Sequence, residues 1–167
     1  VGVADDVARL DGGMAADDVT AELCQGGDLH VGIVVTIAVQ VHDLVSGDIL
    51  LSDGFGDGNY TGWTIVDEGN DAGPAVWKVS SGMLVQSSNV GSTGGDNGRL
   101  GTYALYTRSG WADYRMTLKL RSADDDMLGV MFRVQDAANY YRFSWEQGTP
   151  RRRLWKREQG VFKLLAE

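Results

Sequence analysis

Hydrophobic and polar residues alternate along much of the chain after residue 48. The clearest case is the stretch 114–121, where apolar and polar side chains take turns at every position. Such alternation is typical of a strand with one buried face and one face in water. Similar short runs, separated by Gly, Asn, Asp and Ser, predict strands at 63–66, 76–79, 83–86, 102–107, 128–134, 139–146, 154–157 and 161–165. The sequence from Asp48 onward therefore predicts an antiparallel, all-β fold.

The first 47 residues have a different pattern. Residues 4–24 have weak helical character, which Gly12 and Gly13 interrupt. The run 31–41 is β-branched and apolar on nearly both faces, which predicts a strand that needs neighbours on each side. The segment itself supplies no such neighbours. We interpret residues 1–47 as the tail of a preceding domain or a linker, and residues 48–167 as a separate β module.

Charge and aromatic content change near the same place. Residues 1–50 hold nine acidic residues and one basic residue, whereas residues 51–167 hold 14 of each and all 15 aromatic residues. Because the aromatic-rich part is neutral, the net charge of −8 gives no reason to expect nucleic-acid binding. The run 31–41 is too short to span a bilayer, which takes about 20 residues. One cysteine, Cys24, excludes an internal disulfide.

Several ordered motifs carry a family resemblance. They are the glycine-rich stretch from Phe55 to Trp63, the stretch 77–89, and the runs 100–105, 111–114, 124–133 and 139–143. Together they resemble concanavalin A-like (lectin/glucanase) modules, and the last two are similar to the central strands of laminin-G-like and thrombospondin C-terminal-type modules. The resemblance covers residues 48–167 and implies an antiparallel β-sandwich of the jelly-roll type.

The resemblance also implies that the sandwich is incomplete. Modules of this family continue for several strands beyond a stretch like 160–165 and end on a strand that pairs beside the first one. We therefore expect unpaired sheet edges and exposed apolar faces, as in a C-terminally truncated piece of a longer chain with other domains. An extracellular or cell-surface location follows from the resemblance alone.

Catalysis is not expected. No histidine follows His42 and the β module has no cysteine, so a catalytic triad and a histidine-ligated zinc are excluded there. Glycosidases need two carboxylates about 5–9.5 Å apart across the scissile bond. Glucanases of this fold carry them in a Glu-x-Asp-x-x-Glu pattern, which this sequence lacks.

Calcium is the cofactor that the acidic turns favour, because hard cations take oxygen ligands from carboxylates and amides. Three adjacent acids repel one another unless a cation or water neutralises them. The alternative is that Asp and Asn only stabilise turns through local backbone hydrogen bonds. The candidate ligands are Asp124, Asp125, Asp126 and Asp136, with Asp53 and Asp57 as a second group.

Glycan binding is the second kind of site that the sequence suggests, because sugars pack on aromatic faces and accept a few hydrogen bonds. In the run 139–146, alternate residues lie on opposite faces of one strand. One face is expected to be core, and the face with Tyr140 and Arg142 is a candidate binding surface. The candidate ligand-binding residues are Tyr140, Arg142, Asn139 and Trp155. Most of the five tryptophans are expected to be buried instead.

A basic run surrounds Trp155, formed by residues 151–153, 156 and 157. It could hold an anionic polymer, but charged residues also protect exposed strand edges from aggregation. We favour edge protection. The function that the sequence supports best is a non-catalytic adhesion or recognition module that binds glycan or matrix and is stabilised by calcium. The alternative is a structural spacer or accessory domain of a larger multimodular enzyme such as a glycoside hydrolase.

Overall fold

The computed structural model describes the strand backbone at 9–11, 18–23 and 29–33, and residues 38–69, 71–92, 99–108, 111, 113–121, 127–146 and 151–167. Every regular element in these ranges is a β-strand, and all strand pairs are antiparallel. Within them, no helix is long and apolar enough to cross a membrane. The all-β class predicted from the sequence is confirmed. The helical character suggested for residues 4–24 is wrong at 9–11 and 18–23, which are strands, and the rest of that stretch lies outside the described residues.

The described ranges contain fourteen strands, which form three sheets. All nine strands predicted after residue 48 are found: four are longer by one or two residues, one by four, two have the predicted bounds, one is shifted by one residue and one ends two residues earlier. Their bounds are β1 Arg9–Asp11, β2 Asp18–Leu23, β3 Leu29–Ile33, β4 Ala38–Asp43, β5 Ile49–Asp53, β6 Trp63–Asp67, β7 Trp77–Ser80, β8 Met83–Gln86, β9 Thr102–Arg108, β10 Tyr114–Lys119, β11 Leu128–Asp136, β12 Asn139–Glu146, β13 Arg151–Glu158 and β14 Val161–Ala166.

Both large sheets combine strands that are far apart in the sequence. The five-stranded sheet has the order β1-β2-β10-β4-β5, and the seven-stranded sheet has the order β14-β13-β12-β11-β3-β9-β6. The third sheet is the hairpin of β7 and β8, as predicted, closed by Ser81 and Gly82 at φ of 53° and 69°. Two residues with positive φ are what a tight type I′ turn requires, and glycine adopts this backbone conformation without steric cost.

Strands of the first segment lie inside both large sheets. β4 pairs with β10 on one side and β5 on the other, so Val41 lies between Met116 and Leu51. β3 lies between β11 and β9. The run 31–41, predicted as one strand, contributes to two. Its need for neighbours on both sides is met by strands that follow it in the sequence, so the pairing crosses the predicted boundary at residue 47.

One hydrophobic cluster contains side chains from all three sheets. Alternate residues of β10 supply it, as the sequence pattern predicts: Tyr114, Met116 and Leu118 are buried, while Arg115 and Lys119 are exposed. Burying such apolar surface is the main favourable term in folding. The other members of this main cluster include Val39, Val41 and Leu51 from the five-stranded sheet, Trp63, Ala104, Leu128, Val130, Phe132 and Phe143 from the seven-stranded sheet, and Trp77 and Leu84 from the hairpin.

A second, smaller cluster covers the opposite face of the seven-stranded sheet. Its buried members are Tyr103, Met131, Val134 and Tyr140, with Val66, Leu105 and Phe162 partly buried against them. We call this the outer-face cluster. It means that the seven-stranded sheet is apolar on both faces along β11 and β12, so β12 does not have the simple division into a core face and a solvent face that its alternation suggested.

Among the described strands, β14 forms one edge of the seven-stranded sheet and pairs with β13 alone. Val161, Leu164 and Leu165 are about half exposed, at 60%, 48% and 50%. If the sandwich lacks strands, we expect exposed apolar residues at a sheet edge, and β14 has them. The proposal that further strands complete the module stays a prediction.

Candidate functional site

A cavity of about 210 Å³ opens on the face of the seven-stranded sheet that carries the outer-face cluster. Its floor is formed by β9, β11 and β12, and its rim by residues after β8, including Asn89 and Val90. The polar residues that line it come from separate parts of the chain. Those that concern the chemistry are Glu68, Arg99, Tyr103, Tyr140, Arg142 and Ser144.

Glu68 is the centre of a hydrogen-bonded group at this site. Its side chain is 9% exposed, and its Oε1 lies 3.1 Å from Nη1 of Arg157. The hydroxyl of Tyr140 donates to Oε2 at 3.1 Å, and that of Tyr103 donates to Oε1 at 3.4 Å. A carboxylate taken out of water is tolerated only when such partners compensate it. Glu68 is thus held by groups of the protein itself.

Arg142 is placed differently. Its Nη1 donates to the carbonyl oxygen of Arg99 at 2.6 Å, and its guanidinium lies over the ring of Phe162 at 4.9 Å. Its Nε and Nη2 are buried and have no hydrogen-bond partner among the described residues. Buried polar groups in native proteins are almost always hydrogen-bonded. The guanidinium therefore keeps one edge, the Nε–Nη2 edge, without an acceptor.

Aromatic rings and basic side chains surround Arg142. The guanidinium of Arg99 lies 4.8 Å from the ring centroid of Trp155, and that of Arg157 lies 5.2 Å from the ring of Phe162. The rings of Trp155 and Phe162 meet edge to face, with centroids 6.2 Å apart. Cation–π contacts stabilise positive charge where water is excluded. They allow several guanidinium groups to gather beside one cavity.

Burial shifts the pKa of several of these groups. It raises the pKa of Glu68 above its ordinary value, against the opposing effects of Arg157 and the two tyrosine hydroxyls. It raises the pKa of Tyr140 to about 12 and that of Tyr103 further. It lowers the pKa of Arg142, which still stays protonated at neutral pH. Titratable groups with shifted pKa values around a cavity are a general indicator of a functional site.

The raised pKa of Glu68 predicts a pH dependence of stability. From its ordinary value of 4.5 up to the raised folded value, the folded chain holds a proton that the unfolded chain has lost. The contribution of Glu68 is therefore fully present below that window and is lost as pH rises through it. We expect the free energy of unfolding of wild type, minus that of Glu68→Gln, to fall across the window and then stay constant. Urea unfolding of both chains from about pH 3.5 to about pH 8 measures this, and a difference that grows with pH would contradict it.

Of the four predicted ligand-binding residues, two line the cavity and two do not. Tyr140 and Arg142 line the cavity, although Tyr140 is only 2% exposed and so forms its wall, not an open surface. Trp155 is 6% exposed and packs under Arg99 beside the cavity. Asn139 is a turn residue: its amide donates to Asp136 at 2.9 Å and its Oδ1 accepts from the backbone of Gln159.

Four of the five tryptophans are buried, as expected. Trp63, Trp77, Trp111 and Trp155 are each 8% exposed or less, and Trp145 packs partly buried against the main cluster. Two of them use their indole N–H in hydrogen bonds. That of Trp63 donates to Asp53 and that of Trp77 to Thr102. Trp63, Trp77 and Trp111 are core residues of the main cluster, and a binding role for Trp155 stays a prediction.

The predicted calcium ligands have other partners where they are described. Asp53 accepts from the backbone of Phe55 and from Trp63, Asp57 accepts from the backbone of Asn59, and Asp136 accepts from Ala138 and Asn139. Such local bonds are typical of turn residues. Asp124, Asp125 and Asp126 lie outside the described residues. Within the described part of the chain, no three His, Cys, Asp or Glu side chains form a group that could hold a metal ion. Calcium stays a prediction.

Only part of the basic run lies where β13 is paired on both sides. β13 pairs with β12 from Arg151 to Arg157 and with β14 from Leu154 to Glu158. Edge protection is therefore wrong for Lys156 and Arg157, and it stays a prediction for residues 151–153. Several cations of the run also form ion pairs: Arg153 with Glu167 at 2.9 Å, Lys156 with Glu158 at 2.7 Å, and Arg157 with Glu68. Lys156 and Lys163 together lower the pKa of Glu158 to about 2.

Sequence reasoning missed four residues at the site: Glu68, Arg99, Tyr103 and Arg157 as the partner of Glu68. Glu68 follows β6 in a run of acidic and glycine residues that resembles an ordinary turn. Tyr103 lies on the face of β9 that points away from the main cluster. It is buried there because the outer-face cluster covers that face. No local sequence pattern distinguishes either residue, because their proximity depends on the order of strands in the sheet.

Comparison with known proteins gives no further assignment. No protein-family model, no curated protein and no solved structure matches this chain.

Proposed function

We propose that this chain is a non-catalytic recognition module that binds a glycan in the cavity of the seven-stranded sheet. In this proposal the two large sheets form a β-sandwich of the concanavalin A-like type. The main cluster supports that arrangement, since it contains side chains of both sheets. The extracellular location and the calcium dependence implied by the resemblance remain predictions.

The observation that carries the proposal is the composition of the cavity. Its volume of about 210 Å³ is below the roughly 300–1,000 Å³ of pockets for drug-sized ligands, which suits a single sugar unit of a longer chain. Its wall contains the polar residues Tyr103, Tyr140 and Ser144 together with the charged residues Glu68 and Arg142. Convergent polar groups set in an apolar sheet face are what recognition of a hydroxyl-rich ligand requires.

Binding to a glycan array, followed by calorimetry with the best ligands, tests the proposal. Asn89 is exposed on the rim of the cavity, whereas Ser87 is exposed on the same loop and does not line it. We expect Asn89→Trp to block the cavity and weaken binding at least about tenfold, which is 1.4 kcal/mol. Ser87→Trp is the matched control and should bind like wild type. Failure of wild type to bind any glycan, or equal binding by Asn89→Trp, would overturn the proposal.

A further inference from the structure

The Nε–Nη2 edge of Arg142 points to the chemistry of the ligand. We infer that the sugar bound in this cavity carries a carboxylate, as in a uronic acid, and that this carboxylate accepts hydrogen bonds from Nε and Nη2 of Arg142. The inference rests on the proposed function, since it names the class of sugar that the same cavity takes.

The first argument is the missing acceptor. Arg142 lines the cavity, and both nitrogens of its Nε–Nη2 edge are buried without a partner among the described residues. Its remaining terminal nitrogen is already used by the carbonyl oxygen of Arg99. A carboxylate accepts two parallel hydrogen bonds from one guanidinium edge, which no hydroxyl group of a neutral sugar can do.

The second argument is that the acid of the site is already occupied. Glu68 lines the same cavity, but its two oxygens accept from Tyr140 and Tyr103 and pair with Arg157. No ion pair joins Glu68 or any other described carboxylate to Arg142. Glu68 attracts Arg142 from beyond ion-pair distance. A buried cation is stabilised best by a hydrogen-bonded counter-ion, and an anionic ligand would supply one directly.

A carboxylate fits this position better than a sulfate ester does. A carboxylate is planar with two oxygens, and one guanidinium edge satisfies both. A sulfate ester presents three terminal oxygens, so one of them would receive no hydrogen bond from that edge. Because both nitrogens of Arg142 are shielded from solvent in the structure, the ligand reaches them through a shift of this long side chain. The cavity beside it provides the space.

The test compares three forms of one oligosaccharide. The first is a uronic acid oligomer, the second is the same oligomer with its carboxyl groups reduced to alcohols, and the third is this reduced oligomer after sulfation. Calorimetry with the full chain measures each affinity. We expect the carboxylated form to bind at least about tenfold more tightly than the reduced form. Arg142→Lys keeps the charge but loses the two-point geometry, and should remove most of that difference. Arg151→Lys, at an exposed arginine paired with Glu167, is the matched control and should keep it.

The outcomes separate this inference from the proposed function. Equal binding of carboxylated and reduced forms, with Asn89→Trp still blocking both, would overturn the carboxylate and leave glycan recognition intact. Preference for the sulfated form would also overturn it. Absence of binding by any form would overturn both proposals. Thermal unfolding shows whether Arg142→Lys is folded; if it is not, the comparison of carboxylated and reduced ligands on wild type decides alone.

Discussion

Replacing Val41 with Asp should destabilise the whole chain by about 4 kcal/mol or more. Val41 is 0% exposed and lies in register between Met116 and Leu51, which are both buried. An aspartate there would bring a carboxylate out of water and among the mostly apolar side chains of the main cluster, which is strongly unfavourable. For a chain of this length such a loss lowers the melting temperature by roughly 8–16 °C. Thermal unfolding followed by circular dichroism measures the shift.

The adjacent residue gives the control. Gln40 is exposed on the same strand and faces away from the main cluster. Gln40→Asp introduces the same side chain into the same strand and should change stability by no more than about 0.5 kcal/mol. If Val41→Asp unfolds like wild type, residues 1–47 would be a separate tail or linker, as the sequence suggested. A large effect at Val41 alone would establish β4 as part of the core.

Replacing Gly129 with Ala should cost about 3 kcal/mol. Gly129 is buried in β11 opposite Ser144 of β12. A Cβ atom built there overlaps the carbonyl oxygen of Phe143 and lies 3.0 Å from Cα of Ser144. Both are backbone atoms, so rotation of a side chain cannot relieve the overlap and the two central strands must separate. Urea unfolding measures the loss as a lower midpoint.

Gly54→Ala is the matched substitution for this prediction. A Cβ atom at Gly54 would meet nothing within 4 Å, and its backbone does not have a positive φ. We expect a change within about 0.5 kcal/mol, because the reduced freedom of the unfolded chain is the main effect there. A Gly129→Ala chain that stays as stable as wild type would show that β11 and β12 are not packed this closely.

Local sequence patterns predicted the strands well and their arrangement poorly. Period-two alternation located β10 and its buried face, and Ser81-Gly82 located the hairpin, because both signals arise from neighbouring residues. The position of β3 and β4 between later strands is a matter of long-range pairing, which periodicity does not encode. A change in charge and aromatic content near residue 48 suggested a boundary, but the pairing of Val41 with Leu51 crosses it.

Only part of the candidate site was predicted, again because local patterns do not encode long-range pairing. The alternation of β12 identified Tyr140 and Arg142 as one face of a strand, and the structure places both at the cavity. The sequence could not show that this face is covered, because the covering residues come from β9 and from the segment around Glu68. It also could not show which arginine keeps a hydrogen-bonding edge without an acceptor. That depends on how three separate segments meet.

The position of β3 has a consequence for how the chain folds. Ile33 pairs with Ala104 on one side and with Val130 on the other, so the middle of the seven-stranded sheet joins residues that are very distant along the chain. Contacts of this kind are slow to form, because a long loop must close before any pairing energy is gained. During synthesis β3 emerges early and must wait for both neighbours. Until β11 has been made, its unpaired edges are exposed to other chains, and dilute conditions or a chaperone would favour refolding over aggregation.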